Sequence, residues 1–316
     1  MRALVTGGAG FIGSHLCELL LREGWQVAVI DDLSAGREEN LPPGVEFHRL
    51  DLVDRAGVCR AVQGFRPEVV FHQAAQASVV RSWEDPARDA QVNLVGLLNL
   101  LEASLAVQAR ALVFASSGGV LYGDAETLPT AETAAKVPLS PYGVAKLAGE
   151  HYLYAFQQAR GLPYIALRYG NVYGPRQDPH GEAGVIAIFG RALLAGEAPT
   201  IYGDGRQTRD FVYVADVARA NLLAARALLA GHRSDTLDGA AFNVGTGVET
   251  PVLTIFRELA RLTGFSGEPR FAPPRPGEVR RSALDGTKAA QVLGFTPQVP
   301  LREGLARTVD WLRTAI

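Results

Sequence analysis

Lysine is scarce in this sequence of 316 residues: of its 31 cationic side chains only Lys136, Lys146 and Lys288 are lysines, the rest arginines. Two cysteines, Cys17 and Cys59, form no CxxC pair and no Cys/His cluster, and the six histidines form no HExxH pattern. Neither a disulfide framework nor a metal site is expected from such spacing. No apolar run approaches the roughly 20 residues of a membrane helix. Met1–Thr6 runs into a strand pattern instead of a basic segment and an apolar signal core, so a cytoplasmic protein is expected. A net charge of −2 with both signs interspersed supplies no basic stripe for nucleic acid. With 47% hydrophobic residues the chain can bury a sizeable core, which excludes general disorder and leaves small-molecule chemistry as the working class.

Short β-branched runs alternate with helical patterns through the first half, as repeated βαβ units of a parallel sheet do. Strands are expected at Ala3–Thr6, Gln26–Ile30, Glu46–Arg49, Val69–His72, Ala111–Ala115 and Tyr164–Arg168. Helices are expected at Ile12–Glu23, Arg55–Gln63, Asp89–Ala106 and Tyr142–Arg160, and later at Val185–Ala195, Val214–Leu229, Pro251–Thr263 and Leu301–Thr314. The fold class is therefore α/β, a Rossmann-like doubly wound parallel sheet followed by a smaller, mixed α/β part. We divide it as residues 1–170, a dinucleotide-binding domain, and 171–316, a substrate-binding part with segments returning to the first.

After the first strand, Thr6-Gly7-Gly8-Ala9-Gly10-Phe11-Ile12-Gly13 opens the first helix with a GxxGxxG arrangement at Gly7, Gly10 and Gly13. Glycines there permit a tight turn, a close backbone approach to a pyrophosphate and close helix–strand packing, and the helix N-terminus faces the phosphates. The second strand ends at Asp31-Asp32, where a carboxylate can accept hydrogen bonds from an adenosine ribose. That favours NAD over NADP, whose extra phosphate would be repelled. Asp51-Leu52 follows the third strand, where such folds touch the adenine; a helix-capping aspartate is an equal alternative for Asp51. Ala74-Ala75 after the fourth strand leave room for the cofactor.

Tyr142 and Lys146 form a YxxxK pair near the start of a helix, one turn apart on one face. This geometry suits an acid/base tyrosine whose phenolate is stabilised by a neighbouring ammonium, lowering a pKa that starts near 10.

TGGAGFIG, the Asp31-Asp32 pair, SSGGVLYGD at Ser116–Asp124, YGVAK, RYGNVYGP at Arg168–Pro175, the segment Gly203–Val214 and Arg275-Pro276-Gly277-Glu278 together resemble the extended short-chain dehydrogenases/reductases. Within them the resemblance is greatest to UDP-glucose 4-epimerases, and it spans essentially the whole chain. It implies that Tyr142 takes the proton of the sugar 4-hydroxyl while C4 gives hydride to the nicotinamide, and that Lys146 holds the nicotinamide ribose. Return of hydride to the other face of the 4-keto sugar inverts C4. It also implies cofactor contacts at Phe11, Ile12, Asn93 and Tyr169, and NAD retained as a prosthetic group.

The pattern departs from the family at one point: the Ser or Thr expected after the fifth strand falls at Gly118. Ser117, or failing it Ser116, is expected to supply the hydroxyl, unless Tyr142 works without one. Gly118-Gly119 cannot act as acid or base, which argues against a sugar-nucleotide 4,6-dehydratase, the alternative enzyme; a catalytically silent NAD-dependent sensor is the non-enzymatic one. The resemblance further implies that Arg209 and Arg275 clamp the diphosphate and ribose, with Asn171, Tyr202 and Glu278 beside them. Ser282 falls where the family sets hexose size, so a small side chain there implies tolerance of UDP-GlcNAc and UDP-GalNAc. Family relatives imply a homodimer through a four-helix contact of Asp89–Ala106 and Tyr142–Arg160.

Overall fold

The computed structural model describes residues 1–179, 184–274 and 279–315. Seven strands form one parallel sheet: β1 (Arg2–Thr6), β2 (Gln26–Asp31), β3 (Glu46–Arg49), β4 (Val69–His72), β5 (Ala111–Ser117), β6 (Tyr164–Tyr169) and β7 (Ala241–Val244). Their order is β7-β6-β5-β4-β1-β2-β3, with Thr6 of β1 opposite both Ile30 and His72. The chain thus winds outward in both directions from β1 and β4, which opens a crevice beyond their carboxyl ends.

Alternation along each strand fills both faces. Val5, Val29, Val113 and Phe242 pack with Leu16, Cys17 and Leu20 of helix α1 (Phe11–Arg22). Leu4, Ile30, Val70 and Leu112 pack on the opposite face with Val58 and Val62 of α2 (Arg55–Phe65) and Leu97, Leu100 and Leu101 of α3 (Gly96–Ala106). Leu153 of α4 (Pro141–Arg160) joins that second layer, and Val217 and Leu228 of α5 (Val214–Leu229) join the first.

Local chemistry sets the ends of α4. The Ser140 hydroxyl accepts from Gly143 N at 3.1 Å, Pro141 occupies the first turn, and Gly161 closes the helix in the left-handed region with φ of 73°. Tyr142 and Lys146 therefore lie at the capped start of a long helix.

Several expectations are refined. β2 continues to Asp31 and β5 to Ser117. The helix expected over Asp89–Ala106 is interrupted: Pro86–Ala90 is α-helical, Gln91–Val95 is a wider π turn, and α3 follows. β7 and the helix Thr287–Leu293 were not expected. Beyond Tyr169 the described strands other than β7 form short pairs outside the sheet: Asn171–Tyr173 with Phe211–Tyr213, Thr200–Tyr202 with Arg270–Ala272, and Thr208–Arg209 with Thr250–Pro251. They cover a third core of Tyr173, Phe189, Phe211, Ile255, Leu259 and Val309.

Candidate active site

At the crevice, Gly7 N donates to Ile30 O at 2.8 Å while Gln73 N donates to Thr6 O at 3.0 Å, so both neighbouring strands fix the glycine loop. Gly7 has φ of 71°, and a Cβ there would stand 2.6 Å from Ala74 N. At Gly13 a Cβ would stand 2.1 Å from Gly7 O. Neither position admits a side chain. Gly10 begins α1 without a side-chain cap, which leaves the N–H groups at Phe11, Ile12 and Gly13 without one and the helix end suited to an anion.

Asp31 is 7% exposed, its Oδ2 accepting from Ala9 N at 3.0 Å and its Oδ1 from Leu33 N at 2.9 Å. Burial pushes its carboxyl above the ordinary value against the pull of those bonds. Asp32 instead accepts from the N–H and hydroxyl of Ser34, at 2.9 and 2.6 Å. Asp51 pairs with Arg88 at 3.0 Å, and the cap of α2 is Asp54, which accepts from Gly57 N at 3.0 Å. Leu52 is buried, its carbonyl accepting from Asn99 Nδ2 at 2.9 Å.

Ala74 and Ala75 lead from β4 to Gln76, whose backbone Asn93 grips from both sides: Oδ1 accepts from its N–H and Nδ2 donates to its carbonyl, each at 3.0 Å. Gln76 and Asn93 both donate to Asp89 Oδ1, at 2.8 and 3.0 Å. A cradle closed to side chains, a helix end without a side-chain cap and a fixed carboxylate beyond β2 fit a bound dinucleotide.

Lys146 is 3% exposed; its Nζ donates to Ala115 O at 2.8 Å and lies 5.8 Å from the Tyr142 ring centre and 4.9 Å from that of Phe114. Burial pushes Lys146 down to about 8, opposed by Asp89 and Glu150. Burial, with Asp89 adding to it, pushes the Tyr142 phenol up. The chain alone thus shifts this phenol opposite to the sequence argument, because burial and the Asp89 carboxylate both disfavour the phenolate.

Ser117 ends β5 and its hydroxyl caps nothing in the short helix Gly118–Leu121. A Cβ on Gly119 would meet only Ser117 Oγ at 3.9 Å and Asn171 Oδ1 at 4.0 Å, so two polar atoms flank open space. Asn171 Oδ1 is buried and accepts no hydrogen bond. The Ser116 hydroxyl, in contrast, is buried and its proton is committed to Glu150 Oε1 at 2.6 Å. The Tyr169 hydroxyl donates to Gln73 Oε1 at 3.3 Å and accepts from Asn221 Nδ2 at 2.8 Å.

On the substrate side, half-buried Arg209 donates from Nη1 to Thr208 O at 2.8 Å, and Tyr202 is an exposed strand end. Half-buried Ser282 follows Arg281, which pairs with Glu249 at 2.5 Å. Arg275 and Glu278 lie outside the described residues. Among the described residues no group of acidic, histidine and cysteine side chains could hold a metal ion.

Residues 3–245 match the model of the NAD dependent epimerase/dehydratase family. The chain belongs to that family. It is 48% identical to the UDP-glucose 4-epimerase of Mycolicibacterium smegmatis over 99% of each chain. It superposes on the Thermotoga maritima UDP-glucose 4-epimerase, solved with UDP-glucose, with a TM-score of 0.94 at 48% identity, covering 100% of this chain and 99% of the other. The Thermus thermophilus UDP-glucose 4-epimerase in complex with NAD gives 0.91 at 49% identity, with both chains covered in full.

This member of the epimerase/dehydratase family carries site features that sequence reasoning missed. Asp89 and Glu150 are buried charges acting on Lys146, Arg168 is a buried charge paired with Glu150, and Leu284 stands over Gly118. Glu150 alone left a trace: it lies four residues beyond Lys146, where a helix brings side chains to one face.

Proposed function

We propose that the protein interconverts UDP-glucose and UDP-galactose by transient oxidation at C4, acting as an NAD-dependent isomerase. The reading is supported by relatives of that name at 48–49% identity along the whole chain, one solved with UDP-glucose and another with NAD. The observation that carries it is the Tyr142–Lys146 pair, with the Lys146 ammonium pinned to Ala115 O two residues before Ser117.

Residues 1–170 hold NAD and 171–316 the nucleotide sugar. Gly7, Gly10, Phe11, Ile12 and Gly13 cradle the pyrophosphate, Asp31 and Asp32 bind or flank the adenosine ribose, and Asp51 and Leu52 border the adenine. Ala74, Ala75, Asn93 and Tyr169 shape the nicotinamide side. Bound NAD would supply the hydride acceptor for oxidation at C4 and the hydride donor for its reversal. Tyr142 accepts the 4-hydroxyl proton and gives it back, and Lys146 holds the nicotinamide ribose and stabilises the phenolate. Ser117 hydrogen-bonds the reacting hydroxyl in place of the residue absent at Gly118. Asn171, Tyr202, Arg209, Arg275 and Glu278 hold the sugar diphosphate and nucleoside, arginine forks suiting the diphosphate. Ser282 leaves room for an N-acetylated hexose. Gly118 and Gly119 offer no proton, so elimination of water is disfavoured.

Trp83, Leu139 and Val144 are exposed along one groove between the 86–90 helix and α4, a face we assign to a homodimer contact. Free thiols at Cys17 and Cys59 accord with a reducing cytoplasm, and no described helix is long and apolar enough to cross a membrane. Tyr142→Phe should lower turnover of UDP-glucose by about 10²–10⁴-fold, the span of positioned acid–base catalysis. Unchanged turnover would contradict this assignment.

A further inference from the structure

Behind the Tyr142–Lys146 pair lie charges that proton transfer at the sugar does not use. Glu150 on α4 and Arg168 on β6 are both 0% exposed. Arg168 Nε donates to Glu150 Oε1 at 3.0 Å and Nη2 to Oε2 at 2.6 Å, a two-pronged pair. Nη1 donates to the Tyr122 hydroxyl at 3.0 Å and to Glu132 O at 2.9 Å, and Nη2 also reaches Asp238 Oδ1 at 3.1 Å. Desolvating such ions costs several kcal/mol each, and apolar residues of the same volume often serve stability as well or better. A buried pair this complete therefore calls for a role beyond stability.

Its geometry supplies one. Lys146 and Glu150 stand one turn apart on α4 and grip consecutive residues of β5: Lys146 Nζ donates to Ala115 O at 2.8 Å, and Ser116 Oγ donates to Glu150 Oε1 at 2.6 Å. The next residue along β5 is Ser117, beside the open space at Gly119. We propose that Glu150, locked by Arg168, is a positioning residue for the reaction, fixing the end of β5 against α4 through Ser116 and presenting a buried negative charge to Lys146.

Several groups surround the Lys146 ammonium. Asp89 faces it from the Pro86–Ala90 helix and Glu150 from α4, and both favour its charged form against burial. His72 on β4 is pushed down to about 3 by burial and by Lys146, so it is neutral at working pH. Tyr142 adds a phenol, and Arg168 on β6 is neutralised by Glu150. Without the Glu150 charge, Asp89 alone among these opposes desolvation, so Lys146 loses its proton at lower pH. Since a lysine is charged below its pKa, the alkaline limb of activity must move toward neutrality.

This rests on the roles proposed for Tyr142 and Lys146. The test compares kcat and KM for UDP-glucose in NAD-loaded wild type, Tyr142→Phe, Glu150→Gln, Glu150→Asp and Ser116→Ala between about pH 6 and about pH 10. Glu150→Gln should lower kcat about tenfold with KM within about threefold, and shift the alkaline limb down by about half a unit or more. Glu150→Asp should bring the limb back toward wild type. Ser116→Ala, which keeps the charge, should lower kcat a few-fold with the limb unmoved. Wild-type kcat and limb in Glu150→Gln would overturn the proposal; if that variant does not fold, unchanged kcat in Ser116→Ala overturns it. Full turnover in Tyr142→Phe would instead locate the failure in the reading of the catalytic pair.

Discussion

Leu284 fills the space that a side chain on Gly118 would need. A Cβ at Gly118 would stand 2.5 Å from Leu284 Cδ1 and 2.8 Å from Cδ2. The leucine is 1% exposed and its N–H donates to Asp210 Oδ2 at 3.0 Å, so its backbone is anchored. An apolar side chain thus occupies the space beside Gly118 where the resemblance leads one to expect a Ser or Thr side chain. Gly118→Ser should therefore not improve the enzyme but overpack this junction, costing about 1–3 kcal/mol. Chemical denaturation of Gly118→Ser and of Gly118→Ser/Leu284→Ala measures it: the second substitution should recover part of the loss. A fully stable single variant would show that Leu284 yields freely.

Ser282 governs hexose size if the resemblance of its segment holds in function. Ser282→Tyr should lower kcat/KM for UDP-GlcNAc about tenfold or more while UDP-glucose turnover stays within a few-fold, since a pocket excludes added bulk by steric conflict. Equal losses on both substrates would place the residue away from the hexose.

Trp83 is 65% exposed and shares its groove with Leu139 and Val144. A large aromatic left in water among apolar neighbours marks a contact surface. Wild-type protein should elute with the mass of a dimer by light scattering, and Trp83→Arg should shift it toward monomer with the fold retained. A monomeric wild type would remove the dimer assignment.

The glycine turn and the carboxylate at the end of β2 are legible in sequence because their determinants are local. Gly7, Gly13 and Asp31 each work through the backbone turn in which they sit, and YxxxK depends only on helical spacing. What escaped depends on tertiary contact. Leu284 meets Gly118 from a distant part of the chain, and β7 is a four-residue strand whose place beside β6 is fixed by the sheet. Arg168 stood out only as the end of an expected strand and the start of the RYGNVYGP segment, with no local sign that Glu150, Tyr122 and Asp238 would enclose it. The π turn at Gln91–Val95 was hidden by good helical periodicity; in the structure it contains Asn93, which grips the Gln76 backbone. The phenol of Tyr142 is a further case, since burial, which no motif reports, decides the direction of its shift.

The most direct test is to incubate the purified protein with UDP-glucose and no added NAD and to follow the sugar C4 configuration by NMR. Accumulation of UDP-galactose to equilibrium, with no net oxidised or dehydrated product, is predicted by a site that retains its cofactor and returns hydride to the same carbon. Absence of UDP-galactose even after NAD is supplied, or formation of a dehydrated keto sugar, would contradict it.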